Sequence, residues 1–257
     1  MPKAPAKRGG HAKATRSAPI PTEKTSKGSP KGKSEHKPRD PTHSHLYTDD
    51  NPSTTIHGTG FKDAEAARRT LDLISKRSLT YQFQTVNTMF HRAKHHPAMK
   101  AKKSSTEGEE GGGSGGMKEA MAIFREWLDQ TYPALKTGMR GEGGFKPLLS
   151  KKTVEKYLPQ VEASSTVSED GKSFAGMYVS LGKGKRLGNV LVDDSKPTES
   201  DWEAKRYAVL CELVREGKED IKSWKNDELW EGDKQVSDLH LQLIAWAWSP
   251  LQERKLP

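Results

Sequence analysis

Apolar residues recur at helical spacing in three stretches of the first half of the chain. The stripes predict amphipathic helices over about 61–77, 79–95 and 117–130. Thr59 or Gly60 is the expected N-cap of the first helix and Ser78 that of the second. The apolar positions are Ala64, Ala67, Leu71 and Ile74, then Phe83, Val86, Phe90 and Ala93, then Met117, Ala120, Met121, Ile123, Phe124, Trp127 and Leu128.

None of these helices can bury its apolar stripe alone, whereas three packed together can. We therefore predict a small three-helix bundle module over residues 45–135. Residues 104–116, SSTEGEEGGGSGG, have the composition of a flexible linker, and we place a flexible insertion at 100–116 within the module.

The second half of the chain is also predicted to be mostly helical. Residues 136–172 are read as a linker with a short helix near 146–160, and residues 173–250 as a Trp-rich C-terminal domain. Within that domain, 173–192 fits either a hairpin or two short helical turns. Ser200 and Glu203 suggest a capping box, and Ser237 is the expected N-cap of the last helix. The predicted fold class is mainly α.

The first 44 residues show no helical pattern, and their composition is that of a tail. Residues 1–44 contain few large apolar side chains, so they cannot bury enough surface to offset the entropy of ordering. We predict a disordered basic tail. Residues 1–39 hold 11 Lys and Arg against two Glu, which equals the whole net charge of +9.

The remaining charge is unevenly placed, and residues 60–103 hold ten bases against three acids. A polar face of Gln, Thr, His and Arg can contact both phosphates and bases, so this patch predicts nucleic-acid binding. The alternative is that Glu65–Arg69 and Asp72–Lys76 pair along the first helix and neutralise it. The candidate nucleic-acid-binding residues are Lys62, Arg68, Arg69, Lys76, Gln84, Thr88, His91, Arg92, Lys94, His95 and His96.

Sequence patterns give no catalytic or metal site. His91 and His95 are four residues apart, but a third metal ligand is missing from the pattern. Carboxylates cluster at Asp49/Asp50, Asp193/Asp194, Asp227/Glu228 and Asp233/Asp238, and each cluster reads more simply as a turn or a helix cap. We expect no metal and no cofactor, apart from a divalent metal if the protein cleaves DNA.

A longer pattern resembles a known family. Its carrying segments are YTDDNP at 47–52, GTGFKDA at 58–64, NTM at 87–89 and RAK-x-HP at 92–97, together with MKEAMAIFREWLDQTYP at 117–133. These segments are similar to the helical motif of the insect uracil-DNA-degrading factor and its bacterial, fungal and animal relatives. The resemblance implies a mainly helical DNA-binding protein that recognises or cleaves uracil-containing DNA. The insect protein has two copies of the motif where this chain has one, and the resemblance supplies no catalytic residues.

Two functional hypotheses follow from these patterns. The first is a DNA-binding protein that contacts the phosphate backbone through its basic helical module, with metal-dependent cleavage of uracil-DNA as a further option. The alternative is a non-enzymatic chromatin or scaffold protein whose C-terminal domain binds a protein partner. No apolar run approaches the about 18 residues of a membrane span, and the N-terminus lacks the apolar core of a secretory signal. We expect no membrane partner and a location in the nucleus or cytoplasm.

Overall fold

The computed structural model of the chain describes residues 56–100, 113–232 and 235–257, all of which belong to one compact unit. The mainly α prediction is confirmed. The predicted tail over 1–44 lies outside the described residues. The helices are α1 Ala64–Ile74, α2 Leu79–His95, α3 Pro97–Lys100, α4 Gly113–Glu126, α5 Tyr132–Thr137, α6 Lys151–Ala163, α7 Glu169–Ser180, α8 Trp202–Leu213, α9 Asn226–Leu229 and α10 Asp238–Ala245. Strands β1 Trp230–Glu231 and β2 Gln235–Val236 pair antiparallel, with Trp230 opposite Val236.

Short polar side chains start most of the long helices, because a side-chain oxygen can accept a backbone N–H that has no partner inside the helix. The predicted caps at Ser78 and Ser237 are confirmed, since each accepts the N–H three residues later. Two other predictions are wrong. Helix α1 begins at Ala64 and its N-cap is Asp63, whose carboxylate accepts Ala66 N–H at 2.8 Å. Helix α8 is capped by Asp201 and not by Ser200.

Thr59 and Gly60 do not cap α1 because the segment before it is bonded differently. Gly60 N–H donates to the Thr70 hydroxyl at 2.8 Å, and that hydroxyl donates to Ala66 O at 2.8 Å. Thr70 is fully buried. The chain before α1 is therefore folded back along the helix at Gly60, four residues before the helix starts.

The predicted third helix ends in a π-helical turn. Helix α4 continues into Trp127–Thr131, where Tyr132 N–H donates to Trp127 O, five residues earlier. Pro133 follows at the start of α5 and lacks the N–H that a regular helix would use. Helix α5 buries none of its residues.

Helices α1, α2 and α4 pack on one another around the N-terminal cluster. This cluster consists of Ile56, Ala67, Ile74, Val86, Phe90, Ala120, Phe124 and Trp127. The three apolar stripes seen in the sequence thus face a common core.

Helices α6, α7, α8 and α10 surround the C-terminal cluster, which includes Phe145, Phe174, Trp202, Leu210, Trp246 and Trp248. Residues 136–172 supply Phe145, Leu149, Val154, Tyr157 and Val161 to it, so this range is part of the core. Of the two alternatives for 173–192, the hairpin is wrong, and the first helical element is the 12-residue helix α7 and not a short turn. A short 3₁₀ turn at Leu187–Asn189 follows.

A buried ion pair connects the α1–α2 turn to the start of α8. Arg77 Nε lies 3.2 Å from Asp201 Oδ2, and the two side chains are 2% and 0% exposed. The other guanidinium nitrogens donate to Gly188 O and Pro197 O at 2.9 and 2.8 Å. Burial raises the pKa of Asp201 even though hydrogen bonds from Ser78 and Ala204 oppose the shift. The pair therefore fixes the position of these elements more than it adds net stability.

Arg206 is buried without a carboxylate partner at bonding distance. Its guanidinium donates to the carbonyls of Trp246, Phe145 and Gly144 at 2.8, 2.9 and 3.1 Å. Burial lowers the pKa of Arg206 to about 10, so the side chain is charged at neutral pH. It satisfies carbonyls at the end of α10, where a cation is favourable.

Candidate nucleic-acid interface

Helix α1 and the residues at its two ends carry four of the predicted contacts, with Arg68 and Arg69 on the helix itself. Lys62, Arg68, Arg69 and Lys76 are all exposed. Two of them already have partners within the protein, since Arg69 Nε donates to Gly58 O at 3.2 Å and Lys76 Nζ lies 2.7 Å from Glu199 Oε1. Lys76 thus pairs with a residue far along the chain and not with Asp72, because α1 ends at Ile74 and Lys76 lies in the turn that follows.

The outward face of α2 is a continuous polar stripe. Gln84, Thr88, His91 and His95 lie at helical spacing on the side opposite the buried Val86, Phe90 and Ala93. Thr88, His91 and His95 are exposed and Gln84 is half-buried. The rings of His91 and His95 are stacked, with their centroids 6.3 Å apart and their planes 9° from parallel.

The last turn of α2 brings basic side chains to the helix C-terminus. Lys94 is exposed and Arg92 is half-buried. Both compensate the partial negative charge of the helix end, and both remain available at the surface to a phosphate. His96 has a different role, because its Nδ1 accepts Ala98 N–H at 3.2 Å and its ring packs edge-on against Phe61 at 5.9 Å.

Arg125 is a cation beside α2 that the sequence pattern does not predict. The Arg125 guanidinium, on α4, lies 5.1 Å from the centre of the Phe90 ring. That ring in turn lies 5.4 Å from the His91 ring. Arg125 is exposed, so α4 adds a positive charge beside the α2 stripe. Only the packing of α4 against α2 reveals this neighbour.

The face has an unusual charge distribution along the chain. Residues 75–99 contain four Lys or Arg, three His and no acid. The structure brings two acids to one end of this segment, where Glu199 pairs with the exposed Lys76 and Asp201 pairs with the buried Arg77. Arg92 and Lys94 remain as the Lys and Arg side chains of the surface. Because like charges repel without a counter-charge, a face of this kind gains most when it meets an anion.

Asp193 and Glu228, from two of the carboxylate clusters, have structural partners. Asp193 accepts the Ser195 hydroxyl at 2.6 Å and Ser195 N–H at 3.0 Å and pairs with Lys196, and these contacts lower the pKa of Asp193. Glu228 accepts Lys225 N–H at 2.9 Å and pairs with Lys218. Asp49, Asp50 and Asp233 lie outside the described residues. Within the described ranges, no three His, Cys, Asp or Glu side chains gather as metal ligands would.

A cleft of about 470 Å³ lies between the start of α2, the helix α5 and the start of α8. Leu79, Leu135, Met139 and Ala204 supply apolar lining, and Glu203 supplies a carboxylate that accepts the Thr80 hydroxyl at 2.9 Å. Leu135 is 48% exposed, and among the described residues it stands out as a large apolar side chain left open to solvent.

No protein-family model, curated protein or solved structure matches this chain. The resemblance to the uracil-DNA-degrading factors therefore stays a prediction from the quoted motifs. Among the helices of the described ranges, none has the length and apolar character needed to cross a membrane.

Proposed function

We propose that the protein binds DNA through the outward faces of α1 and α2 together with the adjoining Lys62 and Arg125, a surface that we call the basic face. The observation that supports this most is the surface position of His91, Arg92, Lys94 and His95 in a segment, 75–99, that contains no acid. The basic face consists of Lys62, Arg68, Arg69, Gln84, Thr88, His91, Arg92, Lys94, His95 and Arg125. Lys76 belongs to it when its contact with Glu199 opens.

The energy of such binding comes from the release of counterions that condense on the phosphates. Each neutralised phosphate of duplex DNA adds about −0.9 to the slope of log K against log salt. Six cations on the basic face would give a slope of about −5, before any contribution from the basic tail. Binding should therefore weaken steeply between low and physiological salt.

The test is fluorescence anisotropy of a labelled duplex titrated with the full chain at several salt concentrations. Changing Arg92 and Lys94 together to glutamine should make the salt slope shallower by about 2 and weaken binding at low salt. Lys152→Gln is the matched control, because Lys152 is an exposed cation on α6. Equal slopes for wild type, the double variant and the control would contradict the proposal.

Recognition or cleavage of uracil-containing DNA is a separate proposal that rests on the family resemblance. Matched duplexes with thymine or uracil should be compared for binding and for cleavage, with Mg²⁺ or with EDTA. A nuclease would lose cleavage but keep binding in EDTA. Binding without cleavage in either condition would leave a DNA-binding protein without this activity.

The cleft supports a second candidate function, a scaffold that binds a protein partner. Helix α5 forms one wall without burying its own residues, and Leu135 is open to solvent there. Exposed apolar side chains in such clefts are common anchors for partners. Leu135→Glu should then abolish co-purification of a partner and leave DNA binding unchanged. Gln130→Glu, an exposed position away from the cleft lining, is the control.

A further inference from the structure

The α2 stripe differs from what backbone binding alone requires. Its central positions are the half-buried Gln84 and the exposed Thr88 and His91, which are hydrogen-bonding side chains without a permanent charge. The permanent cations stand at its margin, as Arg92 and Lys94 in the last turn and as Arg125 on α4. A surface that only followed phosphates would gain more from Lys and Arg at the middle positions.

The dimensions of this stripe fit the major groove of duplex DNA. Helix α2 has 17 residues, and the stripe from Gln84 to His95 extends about 16 Å along its axis. A helix with its side chains is about 10–12 Å wide, close to the about 12 Å width of the major groove. The length of the stripe corresponds to about five base pairs at 3.4 Å each.

The first turn of α2 is hydrogen-bonded to the start of α8. These contacts limit the part of α2 that can enter a groove to its later turns. Ser78 N–H donates to Asp201 Oδ2 at 2.8 Å, and the Thr80 hydroxyl donates to Glu203 Oε1 at 2.9 Å. The helix is therefore fixed at its N-terminal end, whereas its polar stripe is half-buried at Gln84 and exposed at Thr88, His91 and His95. The connection from α1 to α2 has four residues, as in helix-turn-helix units, whose second helix occupies the major groove.

We propose that α2 is a recognition helix that reads bases in the major groove of duplex DNA. Gln84 can bond to adenine through its amide, Thr88 can bond to a base edge or contact the thymine methyl group, and His91 offers ring nitrogens. Arg92, Lys94 and Arg125 contact the flanking phosphates. This inference rests on the proposed DNA binding, and it adds sequence preference to it.

The experiment is a selection of the full chain against a pool of duplexes with a randomised central segment. Enrichment of a motif of about five base pairs is expected, from the groove contact that the stripe allows. Affinities are then measured for the selected duplex and for a scrambled duplex of equal composition. The ratio of the two affinities is the readout.

Two sets of variants separate base reading from phosphate contact. Gln84→Ala and Thr88→Ala should each lower the affinity ratio by about 5- to 100-fold with little change in the salt slope. Arg92→Gln with Lys94→Gln should weaken both duplexes alike and leave the ratio unchanged. Circular dichroism confirms that each variant remains helical.

The outcomes distinguish this inference from the proposed function. Salt-sensitive binding without an enriched motif, or a ratio that Gln84→Ala and Thr88→Ala leave intact, would overturn the recognition helix while DNA binding stands. Absence of binding to any duplex at low salt would overturn both. An enriched motif whose discrimination depends on Gln84 or Thr88 would support both.

Discussion

Asp201 is the acceptor that three groups from two parts of the chain share, so its replacement by alanine should destabilise the protein strongly. Its carboxylate accepts Arg77 Nε at 3.2 Å, Ser78 N–H at 2.8 Å and, as the N-cap of α8, Ala204 N–H at 2.9 Å. Alanine accepts none of these. The Arg77 guanidinium would stay buried with only the carbonyls of Gly188 and Pro197 as partners.

The expected loss in the free energy of unfolding for Asp201→Ala is the sum of two contributions. Removing an N-cap side chain costs about 1 kcal/mol. Leaving one partner of a buried ion pair alone costs about 3–5 kcal/mol. The sum, about 4–6 kcal/mol, is a large fraction of the about 5–15 kcal/mol that stabilises an ordinary domain. Asp201→Asn should lose less, because asparagine is an equally good N-cap and keeps one acceptor oxygen.

The neighbouring pair Lys76–Glu199 is the matched control. It connects adjacent positions of the same elements, but its side chains are 61% and 45% exposed. Glu199→Ala should therefore change stability by less than about 1 kcal/mol. Urea unfolding followed by tryptophan fluorescence measures all three variants. A loss for Asp201→Ala as small as that for Glu199→Ala would refute this account of the buried pair.

Three further predictions concern the C-terminal cluster. Arg206→Met should lower the free energy of unfolding by about 3 kcal/mol or more, since several buried carbonyls lose their donor, and urea unfolding would measure it. Burial lowers the pKa of His240, which bonds to Leu229 O and the Ser249 hydroxyl. The contribution of His240 to the free energy of unfolding should therefore be fully present above about pH 6.5. Below that pH it should fall by up to about 1.4 kcal/mol per pH unit, because the histidine of the unfolded chain takes up a proton. His240→Gln should remove that part of the pH dependence, and an unchanged profile would contradict the assignment. Gly144→Ala should lower the melting temperature more than Gly143→Ala. The φ of Gly143 is +71°, close to the left-handed region that alanine can adopt, whereas the +96° of Gly144 lies well outside it, and a Cβ there would also displace the end of the Met139 side chain.

Local patterns were sufficient for much of the secondary structure. The boundaries of α2 and the caps at Ser78 and Ser237 depend on contacts within four residues, which the sequence displays directly. The start of α1 was missed because several residues near it could cap. Asp63 is the cap because Gly60 is bonded to Thr70, ten residues later, a contact that no local pattern shows. Helix α7 was missed because its glycines and the following Gly-Lys-Gly-Lys turn suggested shorter elements.

The site could be predicted only as a set of exposed residues. Helical spacing identified the α2 stripe, but it could not show that Arg125 lies beside it, because that depends on how α4 packs. Arg77 looked like one more cation in a basic patch. It is buried instead, because it pairs with Asp201. That residue lies 124 positions later in the chain, so no local pattern connects the two. The same holds for Arg206, whose partners are backbone carbonyls that carry no sequence signal.

The contacts at the first turn of α2 also decide how the basic face must be tested. A fragment of residues 45–135 would retain the N-terminal cluster but lose Asp201 and Glu203, which hold Ser78 and Thr80. The Arg77 guanidinium would then become solvated or find other partners, and the direction of α2 would no longer be fixed. Failure of that fragment to bind DNA would not distinguish a missing interface from a misplaced helix. Surface substitutions in the full chain avoid this ambiguity, because Arg92 and Lys94 lie at the opposite end of α2 from its anchored turn.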